Sequence, residues 1–378
     1  MKLLLINYEY PPVGGGAANA MWNIARELVK QTHQVTILTA NYKELRGWKE
    51  EQEIRVYRCR AWRRSAHRST LLEQLSFVMS ALFVLPKILR NCQIEAIIIY
   101  FSMPCGPIGL WGKMLFNKPY VISLRGGDVP GIDARVSKLH RLLMPVRRAV
   151  LKHSYAIVAN SIGLKQLAEL ADPYPVKIIP NGVDTEFFYQ KIHQNDIFNF
   201  LFVGRFQPQK NLFFLLEQLS QLKKSVTIPF ICHLIGDGQL KAALQEYAVK
   251  LQLDSILSWH GWLDKEQLRK IYQGTDCFLN LSRYEGMPNV VLEAMACGLP
   301  VIASQVIGNT EVVRSGITGY LVDLQKPQDI QQALCTLLTH REQAARFGQA
   351  GREWVIKEFS WTKVASEYVN LFSEPKMR

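Results

Sequence analysis

The sequence predicts an α/β protein built from two doubly wound parallel-sheet domains, and three observations carry that expectation. Short apolar runs alternate with helical patterns from one end of the chain to the other, as parallel strands joined by crossover helices require. Several of the runs open into loops bearing glycine or charge, where open parallel sheets place their ligands. The alternation starts afresh after the turn Ile179-Pro-Asn-Gly-Val-Asp184, which divides the chain into residues 1–185 and 186–359. With 378 residues and 48% apolar content, there is material for two ordinary cores.

In the first half, Lys2 to Asn7 reads as a strand, Pro11-Pro-Val-Gly-Gly-Gly16 as a loop, Ala18 to Lys30 as a helix and Gln34 to Thr39 as a second strand. The glycine loop fits a dinucleotide fingerprint poorly: Gly14 and Gly16 take its first two positions, but the third falls on Asn19, and Thr39-Ala-Asn41 puts no acid at the second strand's end. What remains is a loop whose backbone can approach a ligand closely. The run Arg55-Val-Tyr-Arg-Cys-Arg-Ala-Trp-Arg-Arg64, continuing through His67 and Arg68 into apolar Leu71 to Leu85, has the form of a segment that sits on an anionic membrane. Ala134 to His153 repeats the theme, with Lys138, Arg141, Arg147, Arg148 and Lys152 among apolar residues. The bland alternative for both is a solvated face. No helix-turn-helix, zinc-finger or RNA-recognition signature accompanies them, so nucleic acid is not an expected partner. Ile94 to Tyr100, Tyr120 to Leu124, Ala156 to Asn160 and Val176 to Pro180 continue the sheet, and the second of these ends at Arg125-Gly-Gly-Asp128. A carboxylate there can orient or deprotonate an acceptor hydroxyl; alternatively Arg125 and Asp128 pair to hold the turn.

The second half opens with a buried strand, Phe198 to Val203, followed by Gly204-Arg-Phe-Gln-Pro-Gln-Lys-Asn211. Arg205 and Lys210 project two cations from one loop, suited to a diphosphate leaving group, with a surface ion-pair role as the alternative. The loop lacks the paired glycines and Lys-Ser/Thr of a P-loop. Phe230 to Ile235 ends in Gly236-Asp-Gly238, and Ser258-Trp-His-Gly261 is a further strand. After the apolar Cys277 to Leu281 comes Arg283-Tyr-Glu-Gly-Met-Pro-Asn-Val-Val-Leu-Glu-Ala-Met-Ala-Cys-Gly298. Pro288 suits a helix entry and Gly298 its end, so the N–H groups near Asn289 and Val290 face an anionic ligand. Glu285 and Glu293 flank that helix start, and carboxylates beside a phosphate cradle make sense where they meet hydroxyls or a developing cation. Val301 to Ser304 and Gly319 to Val322 complete the sheet, and Phe359 to Phe372 reads as a final helix capped by Ser360.

The chain carries a formal charge of +13, and residues 1–190 hold 25 Lys and Arg against 14 Asp and Glu. A basic excess in one half suits an anionic partner there. Seven cysteines, an odd number without C-x-x-C spacing, indicate a reducing compartment and no zinc site. No apolar run reaches the length of a membrane span, and the N-terminal run is too short for a signal peptide.

The Glu285 to Glu293 stretch with Gly298-Leu-Pro300, together with the Gly204-Arg loop and Lys210, resembles the donor site of retaining glycosyltransferases of family 4 (glycosyl transferases group 1). The resemblance implies the GT-B architecture, two Rossmann-like domains facing a central cleft, with the last helix (about 360–378) returning to the first domain. It implies a hexosyltransferase that moves a sugar from a nucleotide-diphosphate donor, UDP- or GDP-linked, to a glycan or lipid-linked acceptor held by the first domain. Retention of configuration, metal independence and no cofactor beyond that co-substrate go with it. In such enzymes Arg205 and Lys210 contact the phosphates, Gly15 and Gly16 face them from the first domain, and Glu293 holds the ribose. Glu285 lies near the donor sugar, Gly236, Pro288, Asn289 and Val290 line the donor site, and Asp128 lies across from it. Where Arg125 stands, the family commonly has His, so that contact does not transfer. Cytoplasmic placement, peripheral on the inner face of the plasma membrane, completes the expectation. A non-catalytic nucleotide-sugar binder, a sugar-nucleotide epimerase and a phosphorylase on the same fold are the alternatives, the last needing a cofactor lysine that the sequence does not reveal.

Overall fold

The computed structural model describes residues 1–65, 69–130, 137–191 and 196–375, with the backbone alone for 137–140. His67, Arg68 and residues 134–136 of the two basic segments lie outside the described residues. The chain divides into two compact units, residues 1–181 with 361–378, and residues 182–360.

The first unit runs β1 (Lys2–Ile6), α1 (Gly16–Lys30), β2 (Gln34–Ala40), β3 (Gly47–Glu51), β4 (Ile54–Cys59), α2 (Leu71–Asn91), β5 (Ala96–Tyr100), α3 (Gly106–Phe116), β6 (Tyr120–Ser123), α4 (Ser137–His153), β7 (Ala156–Ala159), α5 (Ile162–Ala171) and β8 (Lys177–Ile178). Its sheet has the order β3-β4-β2-β1-β5-β6-β7-β8, with every pairing parallel except β3 with β4. Alternate residues of β1 serve two cores. Leu4 and Ile6 pack with Phe77, Leu85 and Ile108 of α2 and α3, and Leu3 and Leu5 with Met21 and Ile24 of α1. The period-2 alternation of a strand covered on both faces produces this division.

In the second unit follow β9 (Phe198–Val203), α6 (Leu212–Ser225), β10 (Phe230–Ile235), α7 (Lys241–Lys250), β11 (Leu257–Gly261), α8 (Lys265–Gln273), β12 (Cys277–Asn280), α9 (Asn289–Ala296), β13 (Val301–Ser304), α10 (Ile307–Val312), β14 (Gly319–Val322), α11 (Pro327–Thr339) and α12 (Arg341–Glu358). The sheet is parallel throughout, in the order β11-β10-β9-β12-β13-β14. The last helix, α13 (Trp361–Asn370), belongs to the first unit, where Trp361, Val364, Ala365 and Tyr368 join the α1 side of the core.

Two readings of the basic first half change. Arg55 to Cys59 is not a lead-in to a helix but strand β4, hairpinned to β3 through Gln52 and Glu53 with φ of 51° and 64°. Tight hairpin turns of that hand ordinarily use Asn or Gly, so the sequence gives no turn signal here. The hairpin also uses up charge: Arg58 is buried and pairs with Glu51 at 2.9 Å, and the enclosed Arg63 side chain meets Glu9 at 3.4 Å. Second, α2 is a single helix of 21 residues, long and apolar enough by length and composition to cross a membrane. It starts from a capping box, in which Thr70 Oγ1 accepts the Glu73 N–H at 3.3 Å and Glu73 Oε2 accepts the Thr70 N–H at 2.7 Å. It then continues through Pro86, where a sequence reading ends the run.

Candidate active site

Strand order reverses about β1 in one sheet and about β9 in the other, and loops leaving a sheet at such points diverge enough to admit a ligand. In the second unit the loops after β10, β9 and β12 share one edge. The β9 loop carries Arg205 and Lys210 and is clamped by its β10 neighbour, with the Gly204 N–H donating to Ile235 O and the Phe206 N–H to Asp237 O, each at 2.9 Å. Gly236 is required for that clamp. Its φ is +135°, and a Cβ there would stand 1.9 Å from the Gly204 carbonyl oxygen.

The β12 loop is laced to the same segment from the other side. The Arg283 N–H donates to Gln209 O at 2.8 Å, and Gln209 Nε2 donates to Tyr284 O at 2.8 Å. Lys210 Nζ reaches Glu285 Oε1 at 2.5 Å, with the two side chains only 14% and 7% exposed. The two cations of the β9 loop therefore part company: Lys210 is enclosed against Glu285, and Arg205 is exposed.

Under the Glu285 loop lies a buried polar network that sequence reasoning missed. Ser282 Oγ donates to Asn280 Oδ1 at 2.8 Å, Ser304 Oγ to the Ser282 carbonyl at 2.5 Å, and Asn280 Nδ2 to Asn309 Oδ1 at 3.0 Å. Asn309 Nδ2 donates in turn to Ser304 O at 2.9 Å. The neighbouring Gly308, on α10, sits so close that a Cβ would come within 2.3 Å of Gly286 O and 2.9 Å of Glu285 Cβ. The available signal was Asn280 and Ser304 themselves, polar residues closing strands that read as buried, which must find partners inside.

Helix α9 starts at Asn289 with Pro288 in the cap position and no side-chain cap bond, so its positive end opens toward this edge. Val290 lies in that first turn. Glu293, one turn further along, accepts a hydrogen bond from the Tyr272 hydroxyl of α8 at 3.2 Å. Burial pushes its carboxyl up to about 7, against the lowering pull of Lys265 and of the Tyr272 bond. Tyr272 is itself held well above its ordinary pKa by burial and by Glu293, and stays a donor.

In the first unit, α1 begins at Gly16 with Gly15 in the cap position, no side-chain cap and no acid in its first turn. Among the described residues, nothing beyond the adjoining chain lies within 4 Å of where a Cβ would stand on Gly15 or Gly16, so a ligand can approach this backbone. Asp128 is different. It is buried, its Oδ2 accepts the Ser102 N–H at 2.6 Å and hydroxyl at 3.0 Å, and its Oδ1 accepts the Arg125 N–H at 3.0 Å. Both oxygens are thus engaged in closing the loop, a geometry that departs from an acid–base group at the loop surface. Arg125 does not form a side-chain pair with it either: the guanidinium donates to Asn181 Oδ1 at 2.8 Å and lies 4.7 Å over the Tyr100 ring. Arg147, counted in sequence among surface cations, is buried and joined to Asp172 at 2.7 Å.

Residues 184–354 match the family model of glycosyl transferases group 1, and residues 14–187 that of glycosyltransferase family 4. A UDP-Gal:alpha-D-GlcNAc-diphosphoundecaprenol alpha-1,3-galactosyltransferase of Escherichia coli is 33% identical over 70% of this chain and 72% of its own. The chain belongs to the group 1 glycosyltransferases. Two solved structures share its fold. Sucrose-phosphate synthase from Thermosynechococcus elongatus superposes with a TM-score of 0.78 at 21% identity over 98% of both chains. The Anabaena protein HepE, solved in complex with UDP and glucose, does so with 0.70 at 18% over 99% of both. In this glycosyltransferase the GT-B fold supplies two parallel-sheet α/β domains, and the second holds the Lys210 and Glu285 loops and the Glu293 helix on one sheet edge.

Proposed function

We propose that this glycosyltransferase moves a hexosyl group from a UDP- or GDP-linked sugar to a glycan or lipid-linked acceptor, with retention of configuration and without a metal ion. The observation that carries the reading is the Lys210–Glu285 contact, at 2.5 Å, beside the open start of α9. A leaving diphosphate takes the bonding electron pair as the C1–O bond breaks, and the negative charge grows on its oxygens. Lys210, Arg205 and the N–H groups at the start of α9 offset that charge. Glu285 stands ready for the positive charge that develops at C1, and the Lys210 ammonium holds its carboxylate oxygen in place at 2.5 Å. Glu293 accepts hydrogen bonds from the ribose hydroxyls.

The relative from Escherichia coli, whose printed name pairs a UDP-sugar with a diphosphoundecaprenol acceptor, supports a UDP donor and a lipid-linked acceptor here. With such an acceptor the protein would work in the cytoplasm, on the inner face of the plasma membrane. A thermal-shift screen over UDP-, GDP- and ADP-sugars identifies the donor through the stabilisation that binding confers. Transfer is then measured with that donor, with and without chelator, and the anomer formed is read by NMR. Stabilisation by a nucleotide sugar with no transfer to any acceptor, and no donor hydrolysis, would leave a binding protein instead of an enzyme. Activity lost to chelator and restored by Mn²⁺ would overturn the metal-free mechanism.

A further inference from the structure

Helices α2, α3 and α4 cover one face of the first unit's sheet and leave an apolar outer surface. α2 turns Phe77, Ala81, Leu85 and Ile88 inward. Its opposite face presents Leu72, Leu75, Met79 and Phe83, at helical spacings of three and four, exposed by 67, 57, 55 and 81%. The same stripe continues into exposed Lys87 and Arg90. α3 is stacked closely beside it, since a Cβ on Gly112 would lie within 3.7 Å of both Leu85 and Leu89, and Arg90 sits 5.4 Å over the Phe116 ring. From α3, Trp111, Met114 and Leu115 stand 40, 70 and 51% exposed beside Lys113. α4 stacks on α3 through Val150 against Gly106 and adds the exposed Leu142 and Arg148.

The charge on this surface has one sign. Across the three helices the sole acid is Glu73, and it is buried in the α2 capping box. Exposed apolar side chains on this scale mark an interaction site. A second copy of the chain would set the same cations against each other, which opposes self-association. An anionic bilayer takes both components: acyl chains receive the Leu, Met and Phe side chains, and headgroups meet the Lys and Arg. Spanning is not the geometry, because one face of α2, with Phe77, Ala81, Leu85 and Ile88, is committed to the core.

We propose that the α2–α3 face is a membrane-docking surface, on which α2 lies in the plane of an anionic bilayer with Leu75, Met79, Phe83 and Met114 inserted and Lys87, Arg90 and Lys113 at headgroup level. The inference rests on the lipid-linked acceptor reading above and says where the enzyme meets that lipid's membrane. It also moves the contact away from the Arg55 to Arg64 run, whose strand and buried pairs make it part of the fold.

The test is flotation of the full chain with phosphatidylcholine vesicles with and without phosphatidylglycerol, in the absence of donor and acceptor. Wild type floats with the anionic vesicles and is released by salt. Met79→Asp with Phe83→Asp lowers the partition by about tenfold or more at low salt, and Lys87→Glu with Lys113→Glu moves the release to lower salt. Trp111 fluorescence is quenched by brominated acyl chains, and the quenching is lost in Trp111→Phe. Met79, Phe83, Lys87 and Trp111 are exposed and Lys113 is half-buried, so unchanged melting temperatures separate docking from misfolding. Transfer to a water-soluble acceptor, measured in parallel, stays normal in the Asp pair; loss of that activity in wild type as well would count against the proposed reaction and not against docking. Equal flotation of wild type and the Asp pair, or equal flotation with neutral vesicles, overturns the proposal. So does a dimer in vesicle-free solution that the Asp pair dissociates, which would assign the face to a second copy.

Discussion

Replacing Glu293 by Gln removes the most perturbed carboxyl of the donor site while keeping its shape and an oxygen for the Tyr272 hydroxyl. Burial raises this group from the ordinary 4.5 to about 7, so the folded protein holds its proton more tightly than the unfolded chain does. Between those two values the folded state binds more protons, and wild-type stability falls as pH rises through that window. Above the folded pKa the whole penalty is present; below the unfolded one it is absent. At 1.36 kcal/mol per pKa step, the penalty is about 3 kcal/mol. Glu293→Gln should therefore be more stable than wild type at pH 8, by on the order of 6–12 °C for a unit of this size, and nearly equal to it at pH 4.5. The ligand-free protein is followed by calorimetric unfolding of both forms across that pH range. The same variant should bind the nucleotide roughly tenfold to a hundredfold more weakly, since a charged acceptor for the ribose hydroxyls is lost. A melting-temperature difference that does not change with pH, or a variant less stable than wild type at pH 8, would refute the assignment of a costly buried carboxyl to this position.

Further consequences follow from the other contacts. Lys210→Ala leaves Glu285 enclosed without its cation and should cost about 2–4 kcal/mol of stability as well as roughly 10² in turnover. Arg205→Ala, at an exposed position, should lower turnover alone, and equal thermal shifts in the two variants would count against the Lys210–Glu285 pair. Asp128→Asn places an amide where two backbone N–H groups need an acceptor, so loss of stability, about 2–3 kcal/mol, should lead; a steep fall in transfer at unchanged melting temperature would restore an acid–base role. Gly308→Ala must displace the Gly286 carbonyl and should depress turnover more than nucleotide affinity, as compared by steady-state kinetics and calorimetric titration; normal turnover would show that α10 does not set the Glu285 loop.

What the sequence determined by itself was whatever depends on local pattern. Apolar runs such as Phe198 to Val203 and Ile94 to Tyr100 are long enough to be buried only as strands of a parallel sheet, so fold class followed from alternation. The Gly204-Arg loop and the Glu285 to Glu293 stretch carried the donor-site chemistry because loops at strand ends use residues unsuited to anything else. The β3–β4 hairpin was hidden, since Gln52 and Glu53 adopt positive φ without glycine. Only the tertiary structure decided which charges are spent inside. Arg58, Arg147 and Asp128 look like surface groups in sequence and are buried against Glu51, Asp172 and Ser102. A charge can be buried only where its partner arrives, and these partners stand 7, 25 and 26 residues away along the chain. The same holds for Lys210 and Glu285, 75 residues apart and joined only because β9 and β12 are neighbours in the sheet.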